Sequence, residues 1–89
     1  MKAVITVTGI DGVGIVAKVS AVCAEYGVSI NDISQSVIGE YFAMIMVASI
    51  DALTIPFNEL VDIMAETGNK NGLVISTMHE DIFNSMHRI

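Results

Sequence analysis

The nine residues from Tyr41 to Ser49, "YFAMIMVAS", constrain the fold more than any other stretch. A β-strand sends successive side chains to opposite faces. Tyr41, Ala43, Ile45 and Val47 therefore point one way, and Phe42, Met44, Met46 and Ala48 the other. Both sets are apolar, so a strand here must be covered on both sides. The chain has 89 residues, and a single domain of that order buries only roughly 60% of its unfolded surface. Yet 53% of it is hydrophobic. A chain that cannot hide so much apolar surface alone hides the rest in a partner, and a homodimer or higher homo-oligomer is expected.

The flanking pattern completes the architecture. Residues 2–8, "KAVITVT", are β-branched and predict a strand. From Val13 to Tyr26 the bulky apolar residues are Val13, Ile15, Val16, Val19, Val22, Cys23 and Tyr26, stepping by three and four along one helical face. Lys18 and Glu25 fall off that face, and Gly27 marks the end. Residues 28–38 predict a second strand. Val28 and Ile30 alternate, but the next apolar residue is Ile33, so a bulge is expected around Asn31–Asp32. Gly39 and Glu40 turn the chain into the third strand, 41–49, making a hairpin. A second helix starts near Pro56 and carries Phe57, Leu60, Val61, Met64 and Ala65 on one face. It is expected to run through Gly68 and stop at Gly72. Residues 72–79 predict a fourth strand. A tail helix over 81–89 places Ile82, Phe83, Met86 and Ile89 together, with Asp81 as N-cap.

The order β-α-β-β-α-β is the ferredoxin-like α+β arrangement, an antiparallel four-stranded sheet with two helices on one face. It makes residues 1–89 one domain, with its core in 2–79 and a C-terminal helical tail. The helices cover one face of the sheet. The tail, a second subunit, or both must cover the other, and Met78 and Met86 are the expected interface methionines.

Charge and motif content exclude several function classes. Ten acidic and four scattered basic side chains give a net charge of −6. Phosphate backbones attract basic stripes, so no nucleic-acid partner is expected. The apolar run Tyr41–Ala48 is too short to span a bilayer, and "MKAVITVTGID" is too short for a signal core. With Cys23 as the single cysteine, a cytoplasmic chain with no membrane partner is expected. Cys23 itself lies on the apolar face of the first helix and reads as a buried structural thiol. His79, Glu80, Asp81 and His87 are metal-ligand residue types, but their spacing is not His-Glu-x-x-His. They read as a solvated strand end with a helix cap, and no metal is expected.

The stretch "TGIDGVGIVAKVS", Thr8 to Ser20, carries the candidate site. Gly9, Gly12 and Gly14 read G-x-x-G-x-G, the reverse of the dinucleotide fingerprint, and no Gly-Lys-Ser/Thr follows. No cofactor is expected. What remains is a tight strand-to-helix turn whose backbone N–H groups face open space at a helix N-terminus, a position that attracts anions, carboxylates among them. Asp11 works against that unless it caps the helix or receives a ligand's ammonium.

"VTGIDGVGIVAKVSAVCAEYGVSINDISQSV" resembles the ACT domain, whose pattern is a strand, D-x-x-G-[IL]-[VL], an amphipathic helix, a glycine, and [VI]-[SN]-I-x-D-[IV]. Here these elements are Asp11, Gly14, Ile15 and Val16, then Val28 to Ile33. The likeness covers about residues 2–79. The ending "HEDIFNSMHRI" is similar to that of short stand-alone ACT proteins, mostly uncharacterised, related to the ACT modules of the glycine cleavage system's regulatory protein. The resemblance implies a non-catalytic regulatory domain that pairs and binds a small molecule, most often an amino acid. The ligand would lie between the first strand–helix loop, Ile10, Asp11, Gly12, Val13, Gly14 and Ile15, and a neighbour's second strand from Ser29 through Asn31, Asp32 and Ile33. Asp11 or Asn31 would hold an amino group, and the N–H groups of Gly12 to Ile15 a carboxylate. The family's serine-sensing version has a His and an Asn in this loop, where this chain has Ile10-Asp11-Gly12. A pure oligomerisation module without ligand is the alternative. The same topology serves acylphosphatase, which needs an arginine in this loop. The chain's one arginine is Arg88, at its far end, so no enzyme is expected.

Overall fold

A computed structural model of the chain describes residues 1–86. Its elements are β1 (Lys2–Ile10), α1 (Ile15–Glu25), β2 (Ser29–Ile38), β3 (Tyr41–Ser49), α2 (Phe57–Lys70), β4 (Leu73–His79) and α3 (Glu80–Met86). The strands form one sheet in the order β2-β3-β1-β4, with every neighbour pair antiparallel. This is the expected ferredoxin-like fold, with β1 and β3, the strands richest in apolar residues, at its centre.

Period-two alternation decides what each face buries. Ala3, Ile5 and Val7 of β1 and Phe42, Met44, Met46 and Ala48 of β3 face the helices and are buried. Ile15, Val19 and Cys23 of α1 and Leu60 and Met64 of α2 close over them in one core. Each of the larger side chains among them (Val, Ile, Leu, Phe, Met), fully buried, contributes roughly 1.5–3 kcal/mol. The irregular spacing in β2 is a bulge. Ile30 pairs with Ala48 and Asp32 with Val47, leaving Asn31 as the extra residue. The bulge reverses the parity, so Ile30 and Ile33 both turn toward the helical side despite their odd spacing.

Helix α1 starts at Ile15, two residues later than its periodicity suggests. Gly14 precedes it in the left-handed region, φ +77°, a conformation glycine adopts at little cost. Val13 consequently leaves the helical face and stands 96% exposed. Helix α2 runs through Gly68, as expected, and a Cβ at that position would stand 2.7 Å from the Leu73 carbonyl oxygen. The missing side chain lets α2 close on β4.

The tail differs from its expected form. Helix α3 begins at Glu80, so Asp81 lies within the first turn and is not the N-cap. None of its described residues is fully buried; of the expected apolar face Phe83 is half-buried, while Ile82 and Met86 are exposed. His87, Arg88 and Ile89 lie outside the described residues. Helix α3 packs on β1 and β4. On that side of the sheet Val4 is buried, whereas Thr8 and Ile10, further along β1, are exposed. The tail covers one end of the non-helical face, and the rest stays open. Among the described residues no helix is long and apolar enough to cross a membrane.

Candidate ligand-binding loop

The loop Ile10–Ile15 is held at both ends and open in between. Ile10 closes β1 opposite Tyr41, and the Asp11 N–H donates to the Glu40 carbonyl at 2.7 Å. At the far end Ile15 is buried in the core, and the Lys18 N–H donates to the Gly14 carbonyl at 3.0 Å to begin α1. Asp11, Gly12, Val13 and Gly14 between these anchors are exposed.

The three glycines have different jobs. A Cβ on Gly9 would stand 2.8 Å from the Leu73 side chain and 3.0 Å from the Gly72 carbonyl, so Gly9 serves the packing of β1 on β4. Nothing lies within 4 Å of a Cβ placed on Gly12 or Gly14. The space over the second half of the loop is free.

No side chain caps α1, and its first turn carries no acid. The first N–H groups of α1 therefore lack an intrahelical partner and carry the positive end of the helix dipole. Of the two roles open to Asp11, the helix cap is not the one it takes. Among the described residues its carboxylate has no hydrogen bond or ion pair. An exposed acid beside uncapped N–H groups can offer an acceptor to an ammonium while the backbone offers donors to a carboxylate.

Asn31, Asp32 and Ile33 are also exposed, but they sit at the opposite end of the sheet. Ile10 aligns with Tyr41 of β3 and Asp32 with Val47. Six residues of strand separate those positions, roughly 20 Å. One chain thus brings Ile10 through Ile15 together and does not bring Asn31–Ile33 to them.

Two hollows lie elsewhere. One of about 590 Å³ is bordered by Met1, Lys2, His79 and the start of α3. There the His79 ring stacks on Phe57, with centroids 3.9 Å apart, which gives this histidine a packing role. Among the described residues no three His, Cys, Asp or Glu side chains stand close enough to share a metal ion. The other, about 310 Å³, is a dip in the open sheet face lined by Thr6, Thr8, Ser34, Ser36 and Ala43 among others. The sequence hid it, because the register that sets Thr6 and Ser34 on either side of Ile45, and Thr8 and Ser36 on either side of Ala43, depends on the bulge at Asn31. Cys23 is buried, and burial raises its thiol above the ordinary value, so it stays protonated and unreactive at neutral pH.

Comparison with known proteins bears on this geometry. A family model described as ACT domain matches residues 2–75. A UPF0237 protein of Clostridium perfringens is 51% identical over 89 residues, the whole of both chains. One from Methanopyrus kandleri is 38% identical over 88 residues, covering 99% of this chain and 98% of its own. Among solved structures, an ACT domain protein from Streptococcus pneumoniae superposes with a TM-score of 0.82 at 43% identity, over 93% of each chain. A putative glycine cleavage system transcriptional repressor shares the fold at a TM-score of 0.69 and 22% identity, over 85% of this chain and 43% of its own.

Proposed function

The chain belongs to the ACT-domain family and to the UPF0237 proteins within reach of it, and from that premise we propose that it is a non-catalytic regulatory module. Two copies pair and bind a small amino acid in the crevice between them. The loop Ile10–Ile15 of one copy supplies N–H donors for the carboxylate. Asp11 of that loop, or Asn31 on the neighbour's β2, holds the amino group.

One observation carries this reading: the two halves of the site lie at opposite ends of a sheet whose edge strand is free. Strand β2 is ten residues long and has β3 as its sole strand partner in the described sheet. A free edge of that length is a template for another strand. If two copies pair antiparallel along β2, the Asn31 end of one comes to the hairpin end of the other, the end at which the loop lies. Pairing thus completes a site that one chain leaves divided.

The test is a thermal-shift screen of the twenty amino acids. A bound ligand stabilises the folded state by RT ln(1 + [L]/Kd), about 2.7 kcal/mol at a hundredfold excess over Kd. At least one small amino acid is expected to raise Tm, and Asp11→Ala and Asn31→Ala each to remove the rise. No shift with any of them at millimolar concentration leaves the module without a ligand and favours association alone.

A further inference from the structure

We infer that Asn71 is a site of self-modification, at which the chain's own backbone converts a side-chain amide to a carboxylate. Asn71 and Gly72 are both exposed, in the turn between α2 and β4. The chemistry needs a backbone nitrogen that can reach the asparagine side chain next to it. Glycine has no Cβ to crowd that approach. Among the described residues the Gly72 N–H makes no hydrogen bond, so it gives up no partner when it reacts. The other asparagines differ on both counts. Asn31, Asn58, Asn69 and Asn84 precede Asp32, Glu59, Lys70 and Ser85, whose side chains obstruct the attack. Asn58, Asn69 and Asn84 also stand within helices.

The step balances with water as its sole co-reactant. The Gly72 nitrogen attacks Cγ of Asn71 and loses its proton to solvent. An N–Cγ bond forms, and the Cγ–Nδ2 bond breaks as ammonia leaves. Water then opens the cyclic imide at either of its carbonyls. Cleavage of the new N–Cγ bond leaves aspartate in an ordinary backbone. Cleavage of the original peptide bond leaves isoaspartate, whose main chain runs through Cγ and is longer by a carbon atom.

The fold sets the pace and the consequence. Asn71 caps α2 with ψ at 12°, which turns the Gly72 nitrogen away from Cγ. Its Nδ2 donates to the Thr67 carbonyl at 2.8 Å. Ring closure therefore waits for the last turn of α2 to open, and helix ends open at little cost in free energy. The acid that results cannot donate to Thr67, and it places a negative charge at the negative end of the helix dipole. Isoaspartate also lengthens the link at the junction where Gly68 leaves no room for a Cβ beside Leu73. Both products loosen α2 from β4.

Peptide mapping by mass spectrometry tests the inference on the full chain held in mildly alkaline buffer. Asn71 is expected to gain the mass difference of acid over amide before any other asparagine does. The modified peptide is expected as two species of equal mass that separate by chromatography. Asn71→Gln, whose longer side chain closes a ring far more slowly, is expected to stay an amide over the same period. Asn71→Asp, which installs one product directly, is expected to melt below the wild type. Conversion at Asn71 no faster than at Asn31, Asn58 or Asn69 overturns the site. An Asn71→Asp protein that melts with the wild type overturns the consequence.

Discussion

Thr77 is the one buried polar residue in the described core, 7% exposed, and its hydroxyl has no hydrogen-bond partner there. A buried hydroxyl without a partner forfeits its hydration and gains nothing in exchange. Thr77→Val keeps the shape and removes the unpaired group, and is expected to stabilise the chain by about 1 kcal/mol in urea unfolding. A destabilised variant would mean that the hydroxyl finds a partner. The charge at Asp51 acts through pH. Its carboxylate accepts from the chain's N-terminal ammonium at 2.6 Å, and that cation holds its pKa below the ordinary 3.8, with Ser49 adding a weaker hydrogen bond. A carboxyl whose folded pKa is depressed contributes stability above its unfolded pKa and loses it as pH falls through the folded one. Asp51→Asn should therefore be less stable than the wild type at neutral pH, with the gap shrinking as pH falls below 3.8 and through the lowered folded value. Both groups are largely exposed, so added salt should narrow the gap. A gap that does not shrink on acidification, read from Tm, would assign the effect to packing instead of charge.

At the scale of elements, local pattern made β1, β2, β3, β4, α1 and α2 legible, and even the bulge, because Ile30 and Ile33 break period two. What escaped was set by contacts the pattern does not contain. Val13 fits the helical repeat, yet Gly14 takes φ +77° and starts α1 after it. Asp81 has the chemistry of an N-cap, yet α3 follows β4 with no intervening loop, and Glu80 already belongs to it. The loop Ile10–Ile15 was legible from its glycines as an open strand-to-helix turn. Its separation from Asn31 was not, because strand direction and order set that distance. The tail gives the prediction that belongs here. Deleting residues 81–89 uncovers the Val4 end of the sheet and extends the open apolar face. The truncated chain is expected to precipitate or to change its assembly in sedimentation. An equally soluble protein of unchanged mass would make the tail dispensable.

The whole molecule presents two surfaces that a second copy can use, and they predict different things. The edge of β2 joins the loop of one copy to Asn31 of the next, so ligand binding and edge pairing must stand or fall together. Of that site the open face carries only Ile10 and Asp32, at its two ends, so a charge placed between them at Ile45 should reduce mass and spare binding. Val37 discriminates between them. It lies on β2 opposite Phe42, on the helical side, and is 54% exposed, so a change there leaves the core of one chain intact. A lysine on an edge strand opposes further strand addition. Val37→Lys is expected to lower the sedimentation mass two-fold and, in the same protein, to abolish the amino-acid thermal shift. Ile45→Asp, on the opposite face, should lower the mass and keep the shift. The two variants compared at one protein concentration separate the roles. A Val37→Lys protein that loses its partner yet still responds to the amino acid would place the whole binding site in the loop of a single chain, with β2 serving assembly alone.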